Sequence, residues 1–135
     1  MGVFVACDCS WMFKLESVTG ALVSGIRKLG WRCNNDGIDI VSSQDVTVEN
    51  CFIRSADDAI AVKGMDAAMD TRNVVVRDSI LFPHGNCMET GFELFNTNVR
   101  CPGMSGLSLC IKSNSIVGGH SLMCHAVRWL ARWPT

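Results

Sequence analysis

The feature that most constrains the fold of this chain is an internal repeat in its middle. The segment Val46–Ile53 has the same pattern of apolar and polar residues as Val74–Leu81, at an offset of 28 along the chain. Ile38–Val41 recurs as Ile60–Lys63 at the shorter offset of 22. The six-residue difference falls at 64–69, which we expect to be a loop inserted into one repeat. Each unit is rich in Val and Ile and alternates apolar positions, which is the pattern of a β-strand.

Short strands at this spacing predict a solenoid, in which each turn buries its inward side chains against the turns beside it. No segment of helical periodicity separates the strands, so a leucine-rich repeat or a βαβ array fits poorly. Weaker repeats at Leu22–Ile26 and Ile111–Val117 extend the solenoid to about four turns. The sequence therefore predicts an all-β fold with a single, partial domain of parallel strands over 1–135.

The predicted strands lie near 38–41, 46–53, 59–63, 74–81, 87–94 and 107–117. The side chains expected to point into the core are Ile38, Ile40, Val46, Val48, Ile53, Ile60, Val62, Val74, Val76 and Leu81.

The two ends of the chain do not follow the repeat. Met1–Cys7 is apolar but too short, and lacks the basic residues, for a signal peptide. Residues 118–135 carry two tryptophans without strand alternation, which fits a helical cap or a truncated end, and we favour the second. We therefore interpret the chain as an internal piece of a longer solenoid, marginally soluble and weakly active or inactive alone.

Composition narrows the function classes. A net charge of −1 and a pI near 6.3 provide no basic surface for nucleic acid, and no apolar stretch is long enough to cross a membrane. The eight cysteines are scattered rather than paired as CxxC, so we expect buried apolar residues rather than a zinc site. One or two disulfides stay open as an alternative, with no pairing assigned. The residues that a zinc site would use are His84, Cys87, Cys124 and His125.

Three aspartates are the best candidates for chemistry. Asp36 and Asp57 are separated by an offset of 21, close to one turn, and Asp58 follows directly. Residues one turn apart stack at about 4.8 Å, so the three carboxylates should converge and raise the pKa of at least one of them. Such a group suits glycoside hydrolysis by acid and base. The alternative is structural, because aspartate is common at turns. Asp39 should point away from the core and needs no catalytic role.

The segments Asn34–Ile40 and Asp57–Lys63 resemble the Asn-Thr-Asp and Asp-Asp motifs of glycoside hydrolase family 28, the polygalacturonase-like enzymes. The resemblance runs from Trp31 to Leu94. It implies a right-handed parallel β-helix that hydrolyses a pectin-like or related polysaccharide with inversion. No metal, organic cofactor or protein partner is implied, and we expect the full-length protein to be secreted or periplasmic.

By position in these motifs, Asp57 resembles the general acid of that family. Asp36 and Asp58 resemble the pair that holds and activates the water molecule. These roles are implied by the resemblance and not by the spacing alone.

The chain departs from the family where a Gly-His-Gly motif is usual. Alignment on the glycines places Asn86 at the histidine position, whereas alignment on His84 displaces the following glycine by two positions. We favour Asn86, because that alignment keeps the strand register. A Gly-Asn motif here also resembles related β-helix hydrolases such as the family 49 dextranases. Glu89 and Glu93 follow on the same predicted strand, with a structural or sugar-contacting role.

The chain also lacks the arginine of the Arg-Ile-Lys motif that grips the substrate carboxylate in polygalacturonases. Only Cys110-Ile111-Lys112 is present, so Lys112 is a candidate substrate-binding residue without its partner. The candidate substrate-binding residues are therefore Asn86, His84 and Lys112. Two other classes stay open: a non-catalytic carbohydrate-binding β-helix, and a polysaccharide lyase that uses calcium and a basic residue.

Overall fold

The computed structural model describes residues 2–6, 10–95, 99–100, 103–105 and 109–110. All of the regular structure within these residues is β-strand. The described part contains no helix long and apolar enough to cross a membrane. Lys112, the predicted tail 118–135 and all of the predicted strand 107–117 except 109–110 lie outside the described residues.

The strands of the described part form three sheets. Sheet A has the spatial order β1 (Val3–Ala6), β4 (Ile26–Leu29), β7 (Phe52–Ser55), β10 (Ile80–Pro83) and β14 (Leu109–Cys110). Sheet B has the order β2 (Phe13–Glu16), β5 (Ile38–Val41), β8 (Ile60–Gly64) and β11 (Met88–Leu94). Sheet C has the order β3 (Thr19–Ser24), β6 (Gln44–Glu49), β9 (Thr71–Arg77) and β12 (Val99–Arg100), and β13 (Gly103–Ser105) also pairs with β9.

The order of the strands along the chain makes the fold a parallel β-helix. The chain passes through sheets B, C and A in succession, and each strand pairs in parallel with the strand one turn away. Three complete turns lie within the described residues, and the strands from β11 onward belong to a fourth. The prediction of an all-β parallel solenoid is therefore confirmed.

The strand register reproduces the repeat read from the sequence. Val46 pairs with Val74 and Ile53 with Leu81, both at the predicted offset of 28. Ile38 pairs with Ile60, at the predicted offset of 22. The two offsets coexist because residues 65–70 form a loop between β8 and β9, where the insertion is predicted.

The core lies inside the coil of the three sheets. All ten side chains predicted to point inward are fully buried, with 0% of their surface exposed. Cys51 and Cys87 are buried within this cluster, as expected for small apolar residues, but Cys33 is exposed and departs from that expectation. Cys51 is a free thiol, whereas Cys87 takes part in a disulfide.

The repeated units differ from the prediction in one respect, because each forms two strands rather than one. The first breaks between β6 and β7 at Asn50, and the second between β9 and β10 at Asp78. Both residues adopt a positive φ, 52° and 50°, a conformation that Asn and Asp tolerate better than most residues. The chain turns a corner there and passes from sheet C to sheet A.

Candidate active site

A cavity of about 490 Å³ opens on the outer side of sheet B. Its walls come from the corners that lead into β5 and β8, from β11, and from the segment that precedes β2. The residues that line it are Ser10, Trp11, Asn34, Asp36, Asp57, Asp58, Lys63, Glu89, Gly91 and Glu93. The three aspartates predicted from the sequence therefore share one cavity.

The register places the aspartates differently from the stacking predicted for Asp36 and Asp57. The offset of sheet B here is 22 and not 21, so Asp36 is in line with Asp58, and Asp57 precedes them by one position. Gly37 donates its backbone N–H to the carbonyl of Asp58 at 2.8 Å, and Gly85 donates to the carbonyl of Asp57 at 3.1 Å. The Asp57–Asp58 corner is thus held by hydrogen bonds from the turns on both sides.

Two glycines allow this close stacking of corners. A Cβ atom on Gly37 would collide with the carbonyl oxygen of Ala59. A Cβ atom on Gly85 would lie 2.6 Å from Oδ1 of Asp58. The glycine that follows Asp36 is therefore required by backbone packing. Gly85 is required by the close approach of the Asp57–Asp58 backbone and of the Asp58 carboxylate.

Residues on both sides of the sheet wall position Asp36: the Lys28–Asn35 pair beside it in the sequence, and Lys63 in the cavity. The preceding residue, Asn35, accepts a 2.8 Å hydrogen bond from the ammonium of Lys28, and both of these side chains are fully buried. Asp36 itself is only 3% exposed. Burial and then the charge of Asp57 raise the pKa of Asp36 above its ordinary value, while Lys63 opposes this shift.

Asp58 is oriented by the next turn. The backbone N–H of Asn86 donates to Oδ1 of Asp58 at 2.6 Å, and the Asn86 side-chain amide donates to Oε2 of Glu89 at 2.7 Å. Burial raises the pKa of Asp58, and the hydrogen bond from the Asn86 backbone opposes the rise. His84 is exposed, and its backbone N–H donates to the carbonyl of Ser55. Asn86 therefore contacts Asp58, whereas the His84 side chain is exposed.

Lys63 lies at the centre of the site and is only 7% exposed. Its ammonium is 2.9 Å from Glu93, 3.5 Å from Asp39 and 3.8 Å from Asp36. The same ammonium lies 3.7 Å from the ring centre of Trp11, a cation–π contact. Burial would lower the pKa of Lys63, but the hydrogen bond to Glu93 and the aspartate charges raise it above its ordinary value.

Asp39 points away from the core, as predicted, but it is fully buried. Its two carboxyl oxygens are shielded from solvent beneath Lys63. Burial and then the charge of Asp36 raise the pKa of Asp39 to about 7, although Lys63 opposes the shift. Asp39 therefore takes up a proton more readily than an exposed aspartate does, while Lys63 favours its ionised form.

Sequence reasoning did not identify Lys63, Asp39 or Trp11 as parts of the site. The alternation of β5 and β8 carried the signal for the first two. Ile38 and Ile40 face the core, as do Ile60 and Val62, so Asp39 and Lys63 share the outer face of sheet B. No comparable signal existed for Trp11, because it belongs to the preceding turn, outside the recognised repeat. Within the described residues no group of three or more His, Cys, Asp or Glu could hold a metal ion.

Comparison with known protein families identifies one family that matches this chain. The model of glycosyl hydrolases family 28 matches residues 11–88. An endo-polygalacturonase of Pectobacterium carotovorum subsp. carotovorum is 33% identical over 91 residues, which cover 64% of this chain and 22% of that protein. An endo-polygalacturonase of Pectobacterium parmentieri matches with the same identity and coverage. The match thus spans about a fifth of the length of these curated relatives. No solved structure matches the chain significantly.

Proposed function

Because the chain belongs to glycosyl hydrolases family 28, we propose that this cavity is part of the active site of a glycoside hydrolase. The proposed reaction is cleavage of a pectin-like or related polysaccharide by acid–base catalysis with inversion. The observation that carries the proposal is the convergence of Asp36, Asp57 and Asp58 on one cavity. A rigid sheet face that presents several carboxylates to one opening suits a reaction that needs both a proton donor and a water-activating base.

Asp57 is the proposed general acid. It is partly exposed at the cavity wall, whereas Asp36 is almost fully buried, so Asp57 is the better placed to meet a glycosidic oxygen. Its backbone carbonyl accepts hydrogen bonds from Gly85 of the next turn and from the Ser55 hydroxyl, and neither of these bonds involves its carboxyl group. A positioned acid of this kind lowers the barrier by donating its proton as the leaving oxygen departs.

Asp36 and Asp58 are the proposed pair that holds and activates the water molecule. They occupy equivalent positions in adjacent turns, which would place one water molecule within reach of both. The Asn86 N–H orients Asp58, and Lys63 keeps a positive charge beside Asp36. Both contacts favour ionised carboxylates, which is the form that accepts a proton from water.

The remaining candidates are assigned to substrate binding. Asn86 stands at the family's histidine position, and an amide exchanges no proton near neutral pH, so hydrogen bonding to Asp58 or to a sugar hydroxyl is the proposed role. His84 is proposed to contact the sugar chain from its exposed corner, and Lys112 is proposed as a further substrate-binding residue. The activity named for the relatives makes polygalacturonate the first polymer to test.

We expect the protein in its full natural length to release reducing ends from pectic polysaccharides without forming unsaturated products. A chelator should not change the rate, because the proposed chemistry uses only carboxylates and water. The assay follows reducing ends and ultraviolet absorbance together, with and without chelator. Unsaturated ends that vanish with chelator would indicate a lyase, and binding without any cleavage would indicate a carbohydrate-binding β-helix.

A further inference from the structure

The outer face of sheet A carries arginine side chains among apolar ones. In β4 and β7, the alternation that points Ile26 and Ile53 into the core turns Arg27 and Arg54 outward. The described strands of this sheet contain no aspartate or glutamate. This face therefore presents positive charge to solvent, unlike the carboxylate-lined cavity.

Arg54 lies between two aromatic rings. Its guanidinium carbon is 5.9 Å from the ring centre of Trp31 and 5.6 Å from that of Phe82, and both are cation–π contacts. One guanidinium nitrogen also donates a 3.2 Å hydrogen bond to the carbonyl of Gly30. Trp31 is 54% exposed, and Arg54 and Phe82 are half-buried. We call these three residues the aromatic–arginine cluster: it holds a guanidinium in a fixed orientation and leaves it open to solvent.

The aromatic–arginine cluster lies directly before the corners that carry the proposed active site. Arg54 precedes Asp57 by three positions, and β10, which contains Phe82, ends shortly before Asn86. Trp31 lies between β4 and Asn34, which lines the cavity. The strands of sheet A therefore lead into the cavity wall. A cavity of about 490 Å³ holds only a short part of a polysaccharide, so a polymer that fills it extends beyond its rim.

Two other occupants of this face would meet like charge. Residues 111–135 contain three lysine and arginine residues and no aspartate or glutamate, so they would bring positive charge to Arg27 and Arg54. A second copy docked through the same face would place arginine against arginine, because a two-fold interface joins the same surface of both copies. An acidic sugar fits better, since a guanidinium binds a carboxylate through two parallel hydrogen bonds.

We propose that Trp31, Arg54 and Phe82 form an accessory site that binds a uronic acid unit of the polysaccharide outside the cavity. The inference rests on the proposed function for the identity of the polymer, to which it adds a second point of contact. The guanidinium pairs with the sugar carboxylate, and the exposed Trp31 ring packs against the sugar ring. Two linked points of contact raise the affinity for a polymer above that for a single unit.

The test measures binding of polygalacturonate and of its carboxyl-reduced form to the full-length protein. The Asp57→Asn background keeps both polymers intact during the measurement. Arg54→Gln should weaken binding of polygalacturonate roughly tenfold more than binding of the reduced polymer, the effect of losing one charge-assisted pair. Trp31→Ala removes an exposed ring and should weaken binding of both polymers. The matched control is Arg72→Gln, which removes an exposed arginine from sheet C and should change neither affinity.

A second variant separates binding from a general loss of structure. Arg54→Lys keeps the charge and the aliphatic stem but loses the planar fork, so it should also bind polygalacturonate more weakly. Circular dichroism verifies the fold of every variant. Unchanged affinity for polygalacturonate in folded Arg54→Gln and Trp31→Ala, or an equal loss in Arg72→Gln, would overturn the inference.

The remaining outcomes separate this inference from the proposed function and from another ligand class. Arginine and aromatic rings also bind single-stranded nucleic acid, so an effect of Arg54→Gln on an oligonucleotide and none on polygalacturonate would overturn the inference. Weaker binding in Arg54→Gln, with no cleavage by the protein that retains Asp57, would support the accessory site and refute the hydrolase. Cleavage with no effect of these variants on binding would do the reverse.

Discussion

Asp57→Asn should lower the rate of glycosidic cleavage by at least about 10²–10⁴-fold, the contribution typical of general acid–base catalysis. Asn has nearly the shape of Asp but has no proton to give to the departing oxygen. The fold should be unaffected, because the hydrogen bonds that fix this corner use the backbone of Asp57 and not its carboxyl group. The measurement compares turnover of the full-length protein and its variant on the same polysaccharide, with circular dichroism to verify the fold.

The pattern across aspartates distinguishes catalysis from a general loss of charge. Asp36→Asn and Asp58→Asn should also impair the reaction, by weakening water activation. Asp45→Asn and Asp78→Asn should have little effect, because both residues are exposed, away from the cavity, with a positive φ that Asn also tolerates. Near-normal turnover of Asp57→Asn on a substrate whose leaving group needs protonation would show that the proposed acid is wrong.

Lys63→Met should destabilise the folded chain by about 3–5 kcal/mol at neutral pH, the cost typical of removing one partner from a buried ion pair. Met fills a similar volume but leaves Asp36, Asp39 and Glu93 without their cation. Methionine still packs against the Trp11 ring, so the loss arises mainly from charge. Chemical denaturation of the full-length protein at several pH values provides the measurement.

The raised pKa of Asp39 determines whether the stability of the folded chain rises or falls with pH. In the folded chain Asp39 releases its proton near pH 7, whereas in the unfolded chain it does so near pH 3.9, the ordinary value. The folded state therefore binds more protons between these values, and stability should fall as pH rises through that window. Lys63 adds to this fall only above its ordinary pKa of about 10.5, because its raised pKa in the folded chain means that its stabilising charge is lost as pH rises through the folded value.

The Lys63→Met penalty should accordingly shrink as pH falls toward 4, where the carboxylates take up protons. The double variant Lys63→Met with Asp39→Asn should recover part of the loss at neutral pH, since the introduced asparagine carries no charge. Lys14→Met is the control, because its ion pair with Glu16 is largely exposed and worth little. Equal destabilisation by Lys63→Met at pH 4 and pH 8 would contradict the charge-based explanation.

Much of the fold could be predicted from the sequence, because every turn of a solenoid must meet the same requirement for burial of its inward side chains. Inward positions must be apolar, so the pattern around Val46 and Val74 determines both strand type and register. The corners were less predictable. Asn50 and Asp78, each with a positive φ, interrupt the strands of their repeats. A short apolar segment of sequence does not show whether it forms one strand or two.

The candidate site was predictable only in part. The aspartates carry a recognisable spacing, but the one-residue difference between offsets of 21 and 22 decides that Asp36 aligns with Asp58. The burial of Asp39 depends on Lys63 and on Trp11 from the preceding turn, a relation between side chains that periodicity does not encode. The charge balance of the cavity emerges only when Glu89 and Glu93 of β11 are placed beside these residues.

The most direct test of the central claim is the configuration of the first product. In the proposed reaction, water held by Asp36 and Asp58 attacks from the face opposite the leaving group while Asp57 protonates the departing oxygen. Proton nuclear magnetic resonance during hydrolysis by the full-length protein should therefore show a first-formed sugar end of inverted configuration, β from an α-linked polymer, before mutarotation mixes the anomers. A first product with retained configuration would contradict the account, because it requires a carboxylate nucleophile and not an activated water molecule.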